Sequence, residues 1–479
     1  MPSRRSYLVA VCSATALLAG CGARRRDVEE TPVSEDHPDD ERPAVRTPDE
    51  TERSPDAGDA ATTDEHREDE TEVSPADEEV AEPAEPEYET LDIREYGAAV
   101  DGRTDDTEAI HETLLAADDG DTVYFPEGTT LVSADVVDNS AAIVLDSSAL
   151  PSNLTLTGEG FRSTIRMDDN QPANNKVVEI NGDSNFETLE LSQFRIDGNR
   201  SEQNTDGGHG IRVENGGQAT EPLNLSMRRL WVDNCNQTGI SLWRGGVFIE
   251  NCTVERCNTH GISIGSSEIR NEDIPPVVIR RAYCARNGKG NNTYGINCSG
   301  GNVIVEDTVC ANNGQGTKTT SGTIEATYRR VRLENNDFHG YIRAGQETDN
   351  RSLVRFEDVV ARNNGETGFR LSRNTDYVIP TEILSSANGS ENIRITNDAG
   401  IDAQRIWSNR AHGPTGLLAD TALGGRIQTY HPYENGGEAL DVNGNVEITT
   451  LEQRDRTDLE HVPTALEVGA GSRRLLFGR

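Results

Sequence analysis

Lysine is nearly missing from this chain: Lys176, Lys289 and Lys318 are the only ones among 45 basic residues in 479, and the other cations are arginines. With 83 acidic residues the formal net charge is −38, which leaves no general basic surface for nucleic acid, and none is expected as a partner. Long apolar runs are also lacking. The apolar stretch at residues 7–18 is too short to span a bilayer. No Cys-x-x-Cys or His-x-x-x-His spacing occurs, so the common zinc sites are excluded and no metal is assigned; calcium on scattered Asp side chains has no position in the sequence. Aromatic residues are missing from residues 22–87, a segment built almost wholly of Asp, Glu, Pro, Thr, Arg, Ser and Ala. Such a composition does not bury enough apolar surface to offset its ordering entropy, so residues 22–88 are expected to form a charged, disordered stalk.

What is present begins with a leader. Residues 1–21 have a cationic start and an apolar run, and end in Leu18-Ala19-Gly20-Cys21, which resembles a lipobox; Ser3-Arg4-Arg5-Ser6-Tyr7-Leu8 resembles a twin-arginine export signal. The expectation is a protein lipidated at Cys21 and tethered to the outer face of the cytoplasmic membrane, at the cell surface. Its acidic, arginine-using surface suits molar salt, where the Debye length falls to about 3 Å and self-repulsion is muted.

From about residue 177 a phrase recurs: an apolar strand, an Asn-rich turn, then Gly followed by an apolar residue. It reads HGIRV at 209–213, TGISL at 238–242, HGISI at 260–264, YGINC at 294–298, HGYIR at 339–343, TGFRL at 367–371 and TGLLA at 415–419, with SGTIEA at 321–326 as an irregular rung. Intervals of about 20 to 35 residues with strand alternation predict stacked strand-and-turn coils. Leucine-rich repeats need a Leu consensus that is missing, and propeller blades need longer units. Residues 89–479 are therefore expected to be an all-β parallel β-helix of about ten to twelve coils. Asn234, Asn258, Asn287, Asn313, Asn336, Asn364, Asn388 and Asn409 fall near its turns, where Asn stacks and tolerates left-handed backbone.

Ahead of the repeat, residues 92–133 predict a capping helix with Asp105 or Thr104 at its start, Glu108 in the first turn, and Ala109, Ile110, Thr113, Leu114 and Ala117 on one face. This block resembles the N-terminal segment of the pectate-lyase-like superfamily, which includes polygalacturonases, rhamnogalacturonan-acting enzymes, epimerase-like proteins and phage tailspikes. The resemblance implies a right-handed β-helix and a polysaccharide partner.

Equivalent positions on successive coils lie about 4.8 Å apart, so each column of residues forms a ruler along the surface. The residue before each Gly is His209, Thr238, His260, Tyr294, Ser321, His339 or Thr367, a polar column suited to an extended sugar polymer. Asn204-Thr205-Asp206-Gly207 and the His260-Gly261-Ile262-Ser263-Ile264-Gly265 segment resemble two motifs of polygalacturonases. The paired carboxylates of the intermediate motif are replaced by Gln237 and Thr238, and no lysine completes the last one. Inverting hydrolysis needs an acid and a base, which an amide and a hydroxyl do not supply.

Elimination from a uronic acid asks only for a base, a cation on the carboxylate and a group at the leaving oxygen. The candidates are His260 or His209 as base, Arg212 on the carboxylate and Tyr294 at the leaving group, with Asp206 beside them. Trp243 is placed to stack on a sugar or to cover a loop, and Glu325 and Arg343 are expected to pair as surface charges on consecutive rungs. Cys235 with Cys257, and Cys284 with Cys310, fall on adjacent rungs, as bridges or as inward thiols. Two functions stay open: an enzyme cleaving or epimerising an acidic glycan, or a non-catalytic glycan-binding or structural β-helix.

Overall fold

The computed structural model describes residues 88–134, 141–214, 222–265, 274–320, 322–344, 352–372, 377–396, 400–420, 424–442, 446–460 and 462–464. The chain divides into two units, Met1–Glu82 and Pro83–Arg479. Cys21, the leader, all of the stalk but Tyr88, and Ser321 lie outside the described residues. No helix among the described residues is long and apolar enough to cross a membrane.

The second unit is a parallel β-helix. Two parallel sheets run along it, one of twelve strands and one of twenty-one. The twelve-stranded sheet takes one short strand from each coil in chain order, and it is the sheet of the Gly-apolar phrases. Within each phrase the first and third residues after the glycine point inward. Ile211, Ile240, Ile262 and Ile296 stack in register and are fully buried, as are Val213, Leu242 and Cys298 one column over. Each such aliphatic side chain contributes about 1.5 to 3 kcal/mol by leaving water.

The recurring glycine has a steric cause. A Cβ on Gly261 would meet the carbonyl oxygen of Gly295 at 2.6 Å, and one on Gly340 would meet that of Gly368 at 2.7 Å. Neither has a positive φ, so the requirement is close approach between coils.

At the corner before this sheet the expected asparagine ladder forms over part of its length. The side-chain amide of Asn287 donates to Asn313 at 3.1 Å, Asn313 to Asn336 at 3.2 Å, Asn336 to Asn364 at 2.9 Å and Asn364 to Asn388 at 2.9 Å. These side chains are buried, so each unpaired amide left by a deletion would cost about 1 to 3 kcal/mol. Left-handed backbone belongs to a different residue from the one that stacks. Arg286, Asn312, Asn335 and Asn363, each just before a ladder asparagine, carry the positive φ. Asn258 is exposed and Asn409 bonds to Asp455 and Arg456, so neither joins the ladder. Cys257 takes the ladder position one coil earlier, its N–H donating to Asn287 Oδ1 at 3.0 Å. All six described cysteines are buried and unbonded, which favours inward thiols over bridges.

The cap is a helix, Thr107–Ala116, whose buried face is Ala109, Ile110, Thr113 and Leu114, as expected. Asp105 accepts from the Thr107 N–H at 3.0 Å, while Asp106, at the cap position, turns back to accept from Ala99 and Val100. His111 Nε2 lies 2.9 Å from the carbonyl of Ala142, tying the helix to the first strand of the twelve-stranded sheet.

Two expectations are corrected by this register. Arg343 is 1% exposed and stands in the inward column between Thr319 and Leu371, so it is not a surface or substrate-binding charge. Glu325 belongs to the other sheet and accepts from Arg355 Nε at 2.8 Å, so the pairing of Glu325 with Arg343 does not occur. SGTIEA also belongs largely to that sheet. The rung between YGINC and HGYIR is Gln315–Thr319, which puts Gln315 in the polar column and Lys318 in the outward one.

Candidate functional site

The outward face of the twelve-stranded sheet carries two parallel columns. One runs His209, Thr238, His260, Tyr294, Gln315, His339 and Thr367. Beside it the register aligns Arg212, Ser241, Ser263, Asn297, Lys318, Ile342, Arg370 and Arg394. Strand alternation puts the second column outward, because the residues on both sides of each member fill the core; the first column is largely buried beside it, with Tyr294, Gln315 and His339 lining the same hollow as Lys318 and Arg370.

At the early end, His209 and Arg212 meet. Arg212 Nη1 donates to His209 Nε2 at 3.1 Å, and Arg212 Nε lies 2.7 Å from Glu214. Burial, together with the charges of Arg212 and Lys176, pushes the His209 imidazole down to about 3. Its basic nitrogen is thus occupied by a cation and hard to protonate, which rules it out as the base and makes it a positioning residue for Arg212. Trp243 lies next to this pair, with the Arg212 guanidinium 5.9 Å from its ring centre and Gly265 of the next rung beside it. Lys176, on the preceding rung, lies 3.0 Å from Glu179. Arg212 is therefore bound up with an imidazole, a carboxylate and an indole.

His260 faces the same difficulty by another route. The backbone N–H of Tyr294 donates to His260 Nδ1 at 3.2 Å, so the neutral ring carries its proton on Nε2 and presents a donor. Desolvation, then the charge of Lys318, lowers its pKa to about 4. The base role expected of His260 fails on this geometry; it is suited to hydrogen-bonding a sugar oxygen. Its ring stacks on Tyr294 at 5.3 Å. Tyr294 is buried, and desolvation raises its hydroxyl to about 12, so it stays protonated at neutral pH. Asp206 is exposed on the turn three residues before His209. Thr238 is buried with its hydroxyl 3.0 Å from that of Thr259.

A hollow on this face lies farther along. A cavity of about 370 Å³ is lined by Tyr294, Gln315, Lys318, His339, Ile342 and Arg370, among others. Lys318 Nζ sits 5.1 Å from the centre of the Tyr294 ring, and desolvation lowers its pKa. His339 receives the Thr367 N–H on Nδ1 at 3.3 Å, and its Nε2 lies 3.3 Å from Glu366 and 3.0 Å from Arg370 Nη1. Burial, with Arg370 and Arg394, lowers the His339 pKa to about 4. Arg370 follows Lys318 by two rungs, about 10 Å along the axis, with Ile342 as an apolar floor between them.

The site thus joins Tyr294 and the nearby His260 to Lys318, His339 and Arg370, and leaves His209, Arg212, Trp243 and Asp206 toward the other end. Lys318 and Arg370 were not singled out from the sequence. The signal for Lys318 was its rarity as one of three lysines. No group of three or more His, Cys, Asp or Glu side chains is placed to hold a metal ion among the described residues.

Known proteins of similar sequence and shape agree with this architecture. The A-module of the Azotobacter vinelandii mannuronan C-5 epimerase AlgE6 superposes with a TM-score of 0.59 at 16% identity, covering 77% of this chain and 100% of that one. The corresponding AlgE4 module gives 0.54 at 16% identity, covering 76% and 100%. At such identity the likeness is one of fold. The preneck appendage protein of Bacillus phage PZA is 27% identical over 206 residues, 38% of this chain and 22% of its own length. The chain thus spans about a fifth of the curated relatives it matches. Residues 90–342, more than half of the sequence and including His260, Tyr294 and Lys318, match the family described as rhamnogalacturonase A/epimerase, pectate lyase-like, and the chain belongs to that family.

Proposed function

We propose that this protein binds an acidic polysaccharide along the twelve-stranded face and removes the C5 proton of a hexuronate unit, as a lyase or an epimerase. The observation that carries the reading is the desolvated Lys318 beside Tyr294, two rungs from Arg370 in one cavity. Arg370, permanently charged, holds the sugar carboxylate. A lysine whose pKa is lowered by burial is able to lend its neutral amine as a base. The C5 proton passes to Lys318 Nζ, and the electron pair left on C5 delocalises into the carboxylate held by Arg370. From that enolate two outcomes follow. Tyr294 gives its hydroxyl proton to the departing C4 oxygen as the C4–C5 double bond forms, or it gives that proton to C5 from the face opposite Lys318, which inverts the centre. His260 Nε2–H is free to orient a ring or hydroxyl oxygen. The mannuronan epimerases of similar fold, and the family's description, support the substrate class.

Non-catalytic glycan binding is the second reading, favoured by the engagement of His209 and His260 nitrogens and by the phage appendage relatives. One experiment separates the two. Incubation of hexuronate oligosaccharides in deuterated, concentrated salt should place deuterium at C5, read by proton NMR, with or without the ultraviolet absorbance of an unsaturated product. Saturable binding with no C5 exchange and no unsaturated product, across mannuronate, guluronate and galacturonate oligomers, would leave only the binding function.

A further inference from the structure

A second cavity, about 690 Å³, opens on the other sheet, over the strands Thr188–Asp197 and Trp231–Asp233. Arg166, Arg195, Arg200, Arg256 and Arg286 line it, against one lining carboxylate, Asp197. In a chain of net charge −38, that is a local reversal of sign.

The guanidinium groups are held from behind. Arg195 donates Nε and Nη2 to the two carboxylate oxygens of Asp233 at 3.0 and 3.1 Å, and Nη2 to Asp197 at 2.9 Å. Arg256 bonds to Asp233 as well, and Arg286 Nη2 donates to Glu255 at 2.7 Å. Asp233 and Glu255 are fully buried, so these carboxylates anchor the cations without facing the cavity. Arg195 and Arg256 also lie 5.4 and 5.8 Å from the centre of the Trp231 ring.

Each guanidinium offers five N–H donors, and the anchors use only some of them. Among the described residues, Nη1 of Arg195 has no acceptor, Arg286 uses only Nη2, and the exposed Arg200 side chain has no hydrogen-bond partner. Fixed guanidinium forks with spare donors match the paired oxygens of a carboxylate or sulfate. The volume exceeds what a lone inorganic oxyanion fills, since a water occupies only about 30 Å³ of liquid, and Asn199, Ser201 and Asn234 in the wall suit hydroxyl groups.

We propose that this cavity is a second anion-binding site, which takes the carboxylate or sulfate groups of an acidic glycan apart from the groove on the twelve-stranded sheet. It does not depend on whether the groove is catalytic. The test titrates a hexuronate trisaccharide, and separately inorganic sulfate, into the full chain by calorimetry at fixed potassium chloride. The expected result is two trisaccharide sites. One is weakened at least tenfold by Arg200→Gln and further by Arg200→Gln combined with Arg286→Gln, and is unaffected by Lys318→Gln. Arg200 is exposed and anchors nothing, so the single variant keeps the fold, which circular dichroism verifies. A single trisaccharide site indifferent to both arginine variants overturns the proposal, and so does a cavity that takes sulfate but no trisaccharide.

Discussion

Replacing Lys318 by glutamine is expected to reduce C5 deuterium incorporation at least a hundredfold while the melting transition stays within a few degrees of the parent. General base catalysis contributes about 10² to 10⁴-fold, and in this cavity an amide does not accept the proton. Lys318 is partly buried on the outward column and fills no core position, so its loss leaves the stacked interior untouched. Rate should rise with pH in the parent, because only the neutral amine is a base and burial has moved its titration below the usual lysine range. The same substitution removes a charge that depresses His260, so the His260 pKa should move upward from about 4 in the variant, readable by NMR. Unchanged exchange in Lys318→Gln, with binding intact, would remove Lys318 from the reaction.

The second large effect is on stability. Burial holds the folded-state pKa of His209 at about 3 and those of His260 and His339 at about 4. Once unfolded, each titrates near 6.5. Between about pH 6.5 and 4 the unfolded chain therefore binds up to three more protons than the folded one, and stability falls as pH falls. The slope approaches about 1.4 kcal/mol per pH unit for each histidine, or about 4 for all three. Above pH 6.5 their contribution is complete and flat. Urea unfolding in concentrated salt at pH 7.5 and 5.5 should thus show a loss of several kcal/mol, reduced in a His339→Asn variant. Stability that holds or increases on acidification through this window would contradict the burial of these rings.

The coil architecture was legible because burial repeats it: a glycine that lets coils approach and an inward aliphatic two residues apart leave the same phrase on most rungs. His260 and Tyr294 were found for that reason, since they sit just before those glycines. Lys318 was missed because its rung, Gln315–Thr319, places Thr317 and Thr319 inward, with the Thr319 hydroxyl 2.8 Å from that of Tyr328. A polar inward pair erased the apolar signal and shifted the reading to the neighbouring SGTIEA. Arg343 was misread for the converse reason. Charge suggested an outward residue, but the alternation that turns Tyr341 inward turns Arg343 inward too and leaves Ile342 outside. The failure of His209 and His260 as bases was not legible, since it depends on which nitrogen meets Arg212 or the Tyr294 backbone across coils.

We propose that the glycan site centres on Tyr294, Lys318 and Arg370 and not on the His209–Arg212 end of the same face. Affinity for a hexuronate oligosaccharide, measured by calorimetry for Arg370→Gln and Arg212→Gln against the parent, tests it most directly. Arg370→Gln is expected to weaken groove binding at least tenfold, because a carboxylate clamp is lost, and Arg212→Gln to change it less than threefold. Strong loss in Arg212→Gln with Arg370→Gln near the parent would place the site at the His209–Arg212 end instead.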